Sequence, residues 1–441
     1  MTGLFTMRLF LSVMLLSACT GCVRVRLPEA KVGPGLAAET LSWEQAVDLT
    51  LRYHPDILKA QADLRSAAHA RNAAFGDYLP DVDGSFIRKH SRTTSTAAGA
   101  DSMSFDLDVT QPLFAGGAVT GEFLQAKREW EAARFTYRET SADVRQRLRA
   151  SFAELLRQEA LEDTTRRIAE RRQENADLLQ LRYDAGREHR GSLLRAQAIA
   201  EEAAFELRQA QRRTDTQRLT FGRELGGRVW MGAHLSENLE QLTPQPPALP
   251  EDYAALAEGT PTVQRLVKTA ESLKAAILST QADLWPSVDG TFNYGYSGTD
   301  VNKLRDDASV GVTVSVPLFA GGANVQDVLG ARQDYRAAVE AARSARDARI
   351  ASLSSAWSAF RDAREFVDVR RKFLEAARER GDIVREQYRS GLASFQDFDI
   401  AEQELADAEK RYVDSLADVL IREAAWEAAE GSTLEEVPRA K

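Results

Sequence analysis

The sequence contains the same unit twice, and this duplication limits the possible folds more than any other feature. A heptapeptide at residues 112–118, Pro-Leu-Phe-Ala-Gly-Gly-Ala, recurs letter for letter at residues 317–323, an offset of 205. A Tyr-x-x-Gly sequence at residues 183–186 recurs at 388–391 with the same offset. Residues 54–57 and 79–86 have counterparts at an offset of 206. Four matches in one order predict two copies of one structural unit.

Each copy is predicted to run from a helix through two strands into a very long helix and a returning helix. Ser42 and Gln45 form a capping box at the start of the first helix, and Pro55 is expected to kink or restart it. Alternating polar and apolar residues predict the strands, and long proline-free runs predict coiled-coil helices. The predicted strands are about 80–90, 102–111, 286–296 and 308–316, and the predicted long and returning helices are 119–183, 192–225, 325–388 and 395–430.

The duplication also predicts the domain boundaries. The expected segments are a signal peptide at 1–18, a lipid-anchored segment at 19–40, a first repeat at 41–225, a connector at 226–250, a second repeat at 251–430 and a frayed tail at 431–441. Each long helix is expected to reach about 95–100 Å, at about 1.5 Å per residue. Its heptad-like apolar positions include Leu148, Phe152, Leu155, Leu178 and Leu181.

The N-terminus predicts export and lipidation. Arg8 precedes an apolar run at residues 9–16, which is too short for a membrane-spanning helix and ends in Leu-Ser-Ala before Cys19. This ending resembles the bacterial lipobox, in which the cysteine becomes the lipidated first residue of the mature protein. Cys22 is a poorer candidate because the residues before it fit the pattern less well. A plain signal peptide with a chance cysteine is the alternative.

The predicted strands have the length and alternation of membrane β-strands, which need about 9–11 residues each. A half-buried soluble sheet is the alternative for any one strand, but four such strands on an exported chain favour a barrel. Four strands cannot close alone, and open edges are not tolerated in lipid. Two copies would give eight strands, whose interior side chains fill, whereas three would give 12 strands and a lumen, so geometry favours three or more copies. Carboxylates on the polar face would line that lumen and give a weak cation preference, namely those of Asp83, Asp106, Asp108 and Asp289.

Composition and motifs argue against other classes of function. The net charge is -9 and no basic segment stands out, so nucleic-acid binding is not expected. The five histidines form no metal-binding pair, and no nucleotide-binding glycine pattern occurs. The sequence therefore predicts no catalytic residues, no metal and no cofactor.

The combined pattern resembles the TolC family of outer-membrane efflux proteins, specifically its lipoprotein branch. The resemblance rests on the opening residues 41–47 with Pro55, the paired heptapeptides and the two Tyr-x-x-Gly turns, in the order that the family has, over about residues 41–430. It implies a homotrimer with a long α-helical barrel, a short transmembrane β-barrel of four strands per subunit, and a periplasmic adaptor and inner-membrane pump as partners. Proline would stop the strand ladder and glycine would permit tight passage at the strand-to-helix crossings, which are Pro112, Gly116, Gly117, Pro317, Gly321 and Gly322.

The resemblance also implies that the two glycine turns are periplasmic tips where an adaptor docks. The implied docking residues are Tyr183, Ala185, Gly186, Arg187, Tyr388, Ser390, Gly391, Leu392 and Ser394. The second turn matches the family pattern, whereas the first departs from it at Arg187, His189 and Ser192. Asp397 could form an acidic ring at a constriction or could cap a helix, and both readings stay open. Asp399 is expected to face elsewhere.

The predicted function is passive conduction by an outer-membrane exit duct of a tripartite efflux or export system. The predicted location is the outer membrane, through a lipid anchor, with a large periplasmic portion. A channel of a type I protein secretion system is an alternative. A periplasmic coiled-coil adaptor lipoprotein is a less favoured one, because an adaptor does not need two amphipathic strand pairs.

Overall fold

The computed structural model describes residues 40–91, 100–227, 235–300 and 304–437. The predicted signal peptide, the lipidation site Cys19 and nearly all of the anchored segment lie outside the described residues. The same is true of residues 438–441.

The helices and strands follow one another in the predicted duplicated order. The first copy consists of α1 (Trp43–Tyr53), α2 (Pro55–Gly76), β1 (Asp81–Ser91), β2 (Ala100–Ala115), α3 (Ala118–Asp184) and α4 (Arg190–Glu224). The second copy consists of α5 (Tyr253–Gly259), α6 (Pro261–Ala282), β3 (Ser287–Gly298), β4 (Arg305–Ser315), α7 (Ala323–Ser390) and α8 (Phe395–Glu430). The mixed, duplicated fold is confirmed, with α3 and α7 reaching 67 and 68 residues.

Local chemistry explains how the chain begins to fold. The Ser42 side chain accepts a hydrogen bond from the Gln45 backbone, and the Gln45 side chain accepts one from the Ser42 backbone, which is the predicted capping box. Helix α1 ends at Tyr53, and Pro55 is the first residue of α2. The expected restart at Pro55 is therefore confirmed.

The four strands form one antiparallel sheet in the order β1-β2-β3-β4. Residues opposite each other in the register lie on the same face. One face carries the apolar row Val82, Val109, Phe292 and Val310, and the other carries the polar row Asp83, Asp108, Asn293 and Ser309. The sheet is thus amphipathic across both repeats.

The two identical heptapeptides adopt different structures. In the first copy Pro112 lies opposite Asp289, and β2 continues to Ala115 after an irregularity between Pro112 and Phe114. The expectation that proline stops the ladder is therefore wrong at Pro112. The strand continues there because β2 pairs with β3 on both sides of the irregularity. In the second copy β4 ends at Ser315, before Pro317.

The crossings that follow these strands also differ. Gly116 and Gly117 have φ values of +60° and +99°, and Gly321 and Gly322 have +65° and +86°, so all four adopt a backbone that favours glycine. An added Cβ at Gly116 would lie 2.8 Å from the Ala282 carbonyl oxygen, whereas one at Gly321 would meet nothing within 4 Å. The first crossing is packed against the end of α6, and the second is open.

Helix α3 packs against helices of both repeats. It lies against α2 and α6 and also against α4 and α8. Arg265 of α6, for example, donates to Glu139, and Gln217 of α4 donates to Ser151. The predicted positions Leu148, Phe152 and Leu155 are fully buried. Leu181, however, is 68% exposed, and Leu179 is the fully buried leucine of this turn.

The predicted frayed tail is wrong for residues 431–437. Leu434 is fully buried and Val437 is buried beside it. The Glu435 carboxylate accepts hydrogen bonds from Ser141 at 2.7 Å and Tyr137 at 2.5 Å, both on α3. A capping box between Thr433 and Glu436 shapes the turn. This segment is docked because it has an apolar anchor and paired polar groups.

A buried ionisable pair joins α1, α2 and the end of α4. Glu224 lies 3.6 Å from the imidazole of His54, and both side chains are buried. Interaction with His54 is the main cause that lowers the pKa of Glu224 to about 2, against the opposing effect of burial and with help from Arg223.

This pair predicts that the contact between α1, α2 and the end of α4 weakens in acid. Because the pKa of Glu224 is lower in the folded state, its stabilising contribution is present above about pH 4.5 and is lost as the pH falls toward 2. We expect Glu224→Gln to flatten the pH dependence of the thermal unfolding midpoint in that window. Glu202→Gln, an exposed change on the same helix, should leave the dependence intact, and equal effects of the two changes would contradict the prediction.

Candidate functional site

The two Tyr-x-x-Gly turns have the same backbone geometry. Gly186 and Gly391 have φ values of +68° and +83°, and each follows the end of a long helix. The next residue donates its backbone N–H to a carbonyl five residues earlier, from Arg187 to Arg182 at 2.8 Å and from Leu392 to Gln387 at 2.7 Å. This is the Schellman arrangement, in which glycine avoids the strain of a left-handed residue. The predicted turns are confirmed at both positions.

The returning helices begin with different caps at equivalent positions. At the start of α8, Ser394 Oγ accepts a hydrogen bond from the Asp397 backbone at 3.2 Å and donates one to the Asp397 carboxylate at 2.6 Å. Hydrogen bonds from the Ser394 side chain and backbone lower the pKa of Asp397. At the start of α4, His189 Nδ1 accepts from the Ser192 backbone at 3.2 Å. His189 therefore does the capping that serine does in the second copy.

The predicted tip residues are not equally exposed. Tyr183 and Leu392 are exposed, and Leu392 is 81% exposed. Ala185, Gly186, Arg187, Ser390 and Gly391 are also exposed. Tyr388, by contrast, is almost fully buried, and its ring is stacked on Phe398 at a centroid distance of 4.9 Å. Tyr388 is therefore a packing residue between the hairpins rather than a surface docking residue, which corrects its predicted role.

Tyr388 ties the second hairpin, α7–α8, to the first, α3–α4. Its hydroxyl donates to Glu188 at 2.9 Å, and Arg182 donates to its backbone carbonyl at 2.7 Å while lying over its ring. Burial and the carboxylate partner raise the pKa of Tyr388. Burial alone would raise the pKa of Glu188, but hydrogen bonds from Tyr388, Ser192 and the His189 backbone lower it overall. The Glu188 carboxyl therefore stays ionised and the Tyr388 hydroxyl stays protonated, as their hydrogen bond requires.

A buried carboxylate beside the second tip also links the two hairpins. Asp399 contacts Arg172 of α3 at 3.2 Å and Arg195 of α4 at 2.9 Å. Arg172 also donates to Gln403 at 2.9 Å, and both Arg172 and Asp399 are buried. The expectation that Asp399 faces away from the Asp397 position is confirmed. A carboxylate shared by two guanidinium groups joins three helices.

This link belongs to a longer seam of ion pairs between α3 and α8. Helix α3 supplies arginines, and α8 supplies carboxylates in antiparallel register. The pairs are Arg145–Glu427 at 2.6 Å, Arg149–Glu423 at 3.0 Å, Arg157–Asp414 at 3.1 Å, Arg171–Glu409 at 2.7 Å and Arg172–Asp399 at 3.2 Å. From Arg145 to Arg172 the seam is about 40 Å long, at about 1.5 Å per residue.

Arg172, Arg195 and Glu188 were not among the predicted tip residues. One signal could have found Arg172, since steps of three and four residues from Leu155 along α3 pass through Arg172, Ala176 and Leu179, all of which are buried. A charged residue at a core position of a heptad needs a partner. No comparable signal marks Glu188, because its partner is 200 residues away.

The four predicted lumen carboxylates lie on one face of the sheet. Asp83 is opposite Asp108, Asp106 lies two residues from Asp108 on the same strand, and Asp289 is on the same face of β3 as Asn293. Asn293 donates to Asp108 at 2.6 Å. This clustering agrees with the polar face that alternation predicts.

Two further results concern only the described part of the chain. No group of three or more His, Cys, Asp or Glu side chains in residues 40–91, 100–227, 235–300 and 304–437 is arranged to hold a metal ion. No helix in these ranges has both the length and the apolar character needed to cross a membrane.

The two repeats coincide with a known family model. The model described as outer membrane efflux protein matches residues 46–227 and 253–432. The chain belongs to this family. Comparison with curated protein sequences finds no match.

Several solved structures share the fold. CusC has a TM-score of 0.81 and 14% identity, over 91% of this chain and 95% of that one. The open state of the Neisseria gonorrhoeae MtrE outer membrane channel has a TM-score of 0.80 and 16% identity, over 92% and 98%. The outer-membrane channel OprN has a TM-score of 0.76 and 20% identity, over 93% and 98%. At these identities the likeness establishes the fold alone.

Membership of the family establishes the general role. The chain is an outer-membrane efflux channel subunit, and channels of this family work with a periplasmic adaptor and an inner-membrane pump. The family is one of transport proteins, and homotrimers are general within it. The family match therefore favours the predicted channel over the predicted alternative of a periplasmic adaptor.

Proposed function

We propose that three copies of this chain close a continuous passive duct, with the sheets forming a 12-strand barrel in the outer membrane. The observation that carries this proposal is the open sheet. Among the described residues, β1 and β4 each pair on one side only, so both outer edges have free backbone groups. Open edges are unstable in lipid, and closure between copies satisfies them.

The apolar face of the sheet supports a membrane location. Val310 is 81% exposed, and the other valines of β4 are exposed beside it. Strands rise about 3.3 Å per residue, and barrel strands tilt by about 40°, so the eight steps from Val288 to Tyr296 span about 20 Å along the membrane normal. The exposed Trp285 before β3 extends this band. The total is close to the apolar band of about 25 Å in outer-membrane barrels.

Apolar side chains on the end helices support closure of the helical part. The described helices pack in the order α4–α3–α8–α7 toward the tips, which leaves α4 and α7 at the two ends. Helix α7 exposes Phe366, Val369 and Phe373 at coiled-coil spacing, and α4 exposes Phe205 and Leu219. Two different apolar faces on one chain fit a head-to-tail contact that closes as a ring.

The remaining parts of the assembly follow from this arrangement. Diacyl attachment at Cys19 would give durable anchoring to the outer membrane. The tips at Gly186 and Gly391 would dock the adaptor, and the inner-membrane pump would supply the energy. Opening would require the α7–α8 hairpin to separate from α3, against the contacts of Tyr388 and Asp399.

Reconstitution tests the proposal directly. The full chain, expressed with its lipid and purified from outer membranes in detergent, is expected to have the mass of three subunits. Inserted into planar bilayers, it should conduct ions. A monomer that does not insert would contradict the proposal.

The carboxylates on the polar face predict cation selectivity. Replacing Asp83, Asp106, Asp108 and Asp289 together with asparagine is expected to lower the cation-to-anion permeability ratio about twofold or more, because a channel lined by one sign of charge concentrates counter-ions. The reversal potential in a KCl gradient measures this ratio. Asp397→Asn alone is the comparison, and a larger effect of that single change would assign selectivity to the tip instead.

A further inference from the structure

The first tip carries charge wherever the second tip is apolar, on the same backbone. Counting from the glycine of each turn, Arg187 occupies the position of Leu392, and Arg190 occupies the position of Phe395. The Schellman hydrogen bonds are the same in both turns, so the difference is one of side-chain chemistry alone.

The two arginines of the first tip are free. Most arginines near the tips have a partner: Arg182 binds the Tyr388 carbonyl, Arg195 binds Asp399, and Arg389 binds Glu386. The side chains of Arg187 and Arg190 are exposed, and within the described ranges neither guanidinium group has a hydrogen bond or an ion pair. Neither arginine therefore stabilises the fold through an ion pair.

The single carboxylate in this loop does not neutralise them. Glu188 has a side chain only 11% exposed, which faces inward to Tyr388 and to the His189 backbone. His189 itself is held by Ser192 as the helix cap. The loop thus turns its acid toward the protein and its guanidinium groups toward solvent.

The position of Arg190 is unfavourable for the isolated chain. It is the first residue of α4, where the helix carries partial positive charge, and the first turn of α4 contains no acidic residue. In the second tip the corresponding turn contains Asp397. An anionic partner would remove the unfavourable interaction at Arg190, whereas an apolar or cationic partner would not.

We infer that the first tip docks an acidic segment of its protein partner through Arg187 and Arg190, while the second tip docks an apolar segment through Leu392. This inference rests on the proposed docking of an adaptor at the tips. It adds that the two tips recognise different chemistry, so a partner must present carboxylates at one site and apolar side chains at the other.

Designed helical hairpins test the inference on the intact channel. Three hairpins differ only in the loop, which carries glutamate, glutamine or lysine. Binding to the purified full-length channel is measured by biolayer interferometry at low and high salt. We expect the glutamate hairpin to bind about tenfold more tightly than the glutamine hairpin at low salt, with the difference shrinking at high salt. Equal binding of all three, or binding of none, would overturn the inference.

Charge-reversed variants provide the control. R187E/R190E should lose the preference for glutamate and gain one for lysine, whereas R187K/R190K should keep it. R212E/R213E, a reversal elsewhere on α4, should change neither this preference nor the bilayer conductance. An unchanged glutamate preference in R187E/R190E would exclude these arginines.

A second comparison separates this inference from adaptor docking as such. Hairpins with a leucine-bearing loop should bind the native channel and bind Leu392→Ser more weakly. If Leu392→Ser weakens that binding while R187E/R190E has no effect on the glutamate hairpin, tip docking stands and the acidic partner is wrong. If neither change affects either hairpin, docking at the tips is itself wrong.

Discussion

Asp399→Ala is expected to loosen the tip and raise the conductance of the channel. The change leaves Arg172 buried without its carboxylate and removes the contact to Arg195. Breaking a buried ion pair by removing one partner costs about 3–5 kcal/mol. Because these contacts join the two hairpins, the loss falls on the arrangement in which the hairpins pack against each other. Single-channel recording in planar bilayers and entry of a large hydrophilic dye into channel-containing liposomes measure the result.

Asp397→Ala is the matched control, two residues away on the same helix. Asp397 is exposed and contacts Ser394 of its own cap, so its removal should weaken the start of α8 without separating the hairpins. If Asp397→Ala raises conductance and Asp399→Ala does not, the constriction lies at Asp397. That outcome would restore the acidic-ring reading of Asp397 and reject the hairpin link as the barrier.

The second large effect is expected at the first strand-to-helix crossing. In Gly116→Ala the new Cβ would lie 2.8 Å from a backbone carbonyl oxygen and 2.9 Å from Trp285 Cβ, and the residue would keep a φ of +60°. Backbone strain of about 1–2 kcal/mol and overpacking of about 1–3 kcal/mol add to a loss of about 2–5 kcal/mol in the free energy of unfolding. The thermal unfolding midpoint of the purified channel, followed by circular dichroism, should fall.

Gly321→Ala separates the two causes. Gly321 has nearly the same φ, +65°, but open space around the added Cβ, so only the strain remains. Its midpoint should therefore fall by much less than that of Gly116→Ala. Equal shifts would show that backbone strain accounts for the whole effect, or that a neighbouring copy packs on the second crossing.

Much of the tip could be read from the sequence because its chemistry is local. The glycines at 186 and 391 and the caps depend on hydrogen bonds within five residues along the chain. The role of His189 as a cap agrees with its place at the serine position. Tyr388 and Glu188 could not be paired in this way, since their contact joins hairpins from different repeats.

The packing of α3 could be predicted from the sequence only in part. The predicted stripe is fully buried at Leu148, Phe152 and Leu155. Leu178 is half-buried against the tip core, but Leu181 is exposed. Apolar residues alone favoured Leu181, whereas the buried positions of α3 include Arg172, whose charge Asp399 neutralises. Arg172 was not predicted as a core residue because its partner Asp399 lies on a helix that is distant in the sequence.

The order of the elements, their caps and the two faces of each strand were determined by the sequence itself, because each depends on contacts between residues close in the chain. Which neighbour each element has was decided only by the tertiary structure. The identical heptapeptides make the distinction clear, since residues 112–115 continue a strand while residues 317–320 do not. The first has β3 beside it to accept and donate hydrogen bonds, and the second lies beyond an edge strand. Identical residues therefore form different structures, because strand hydrogen bonds need a partner that the local sequence does not contain.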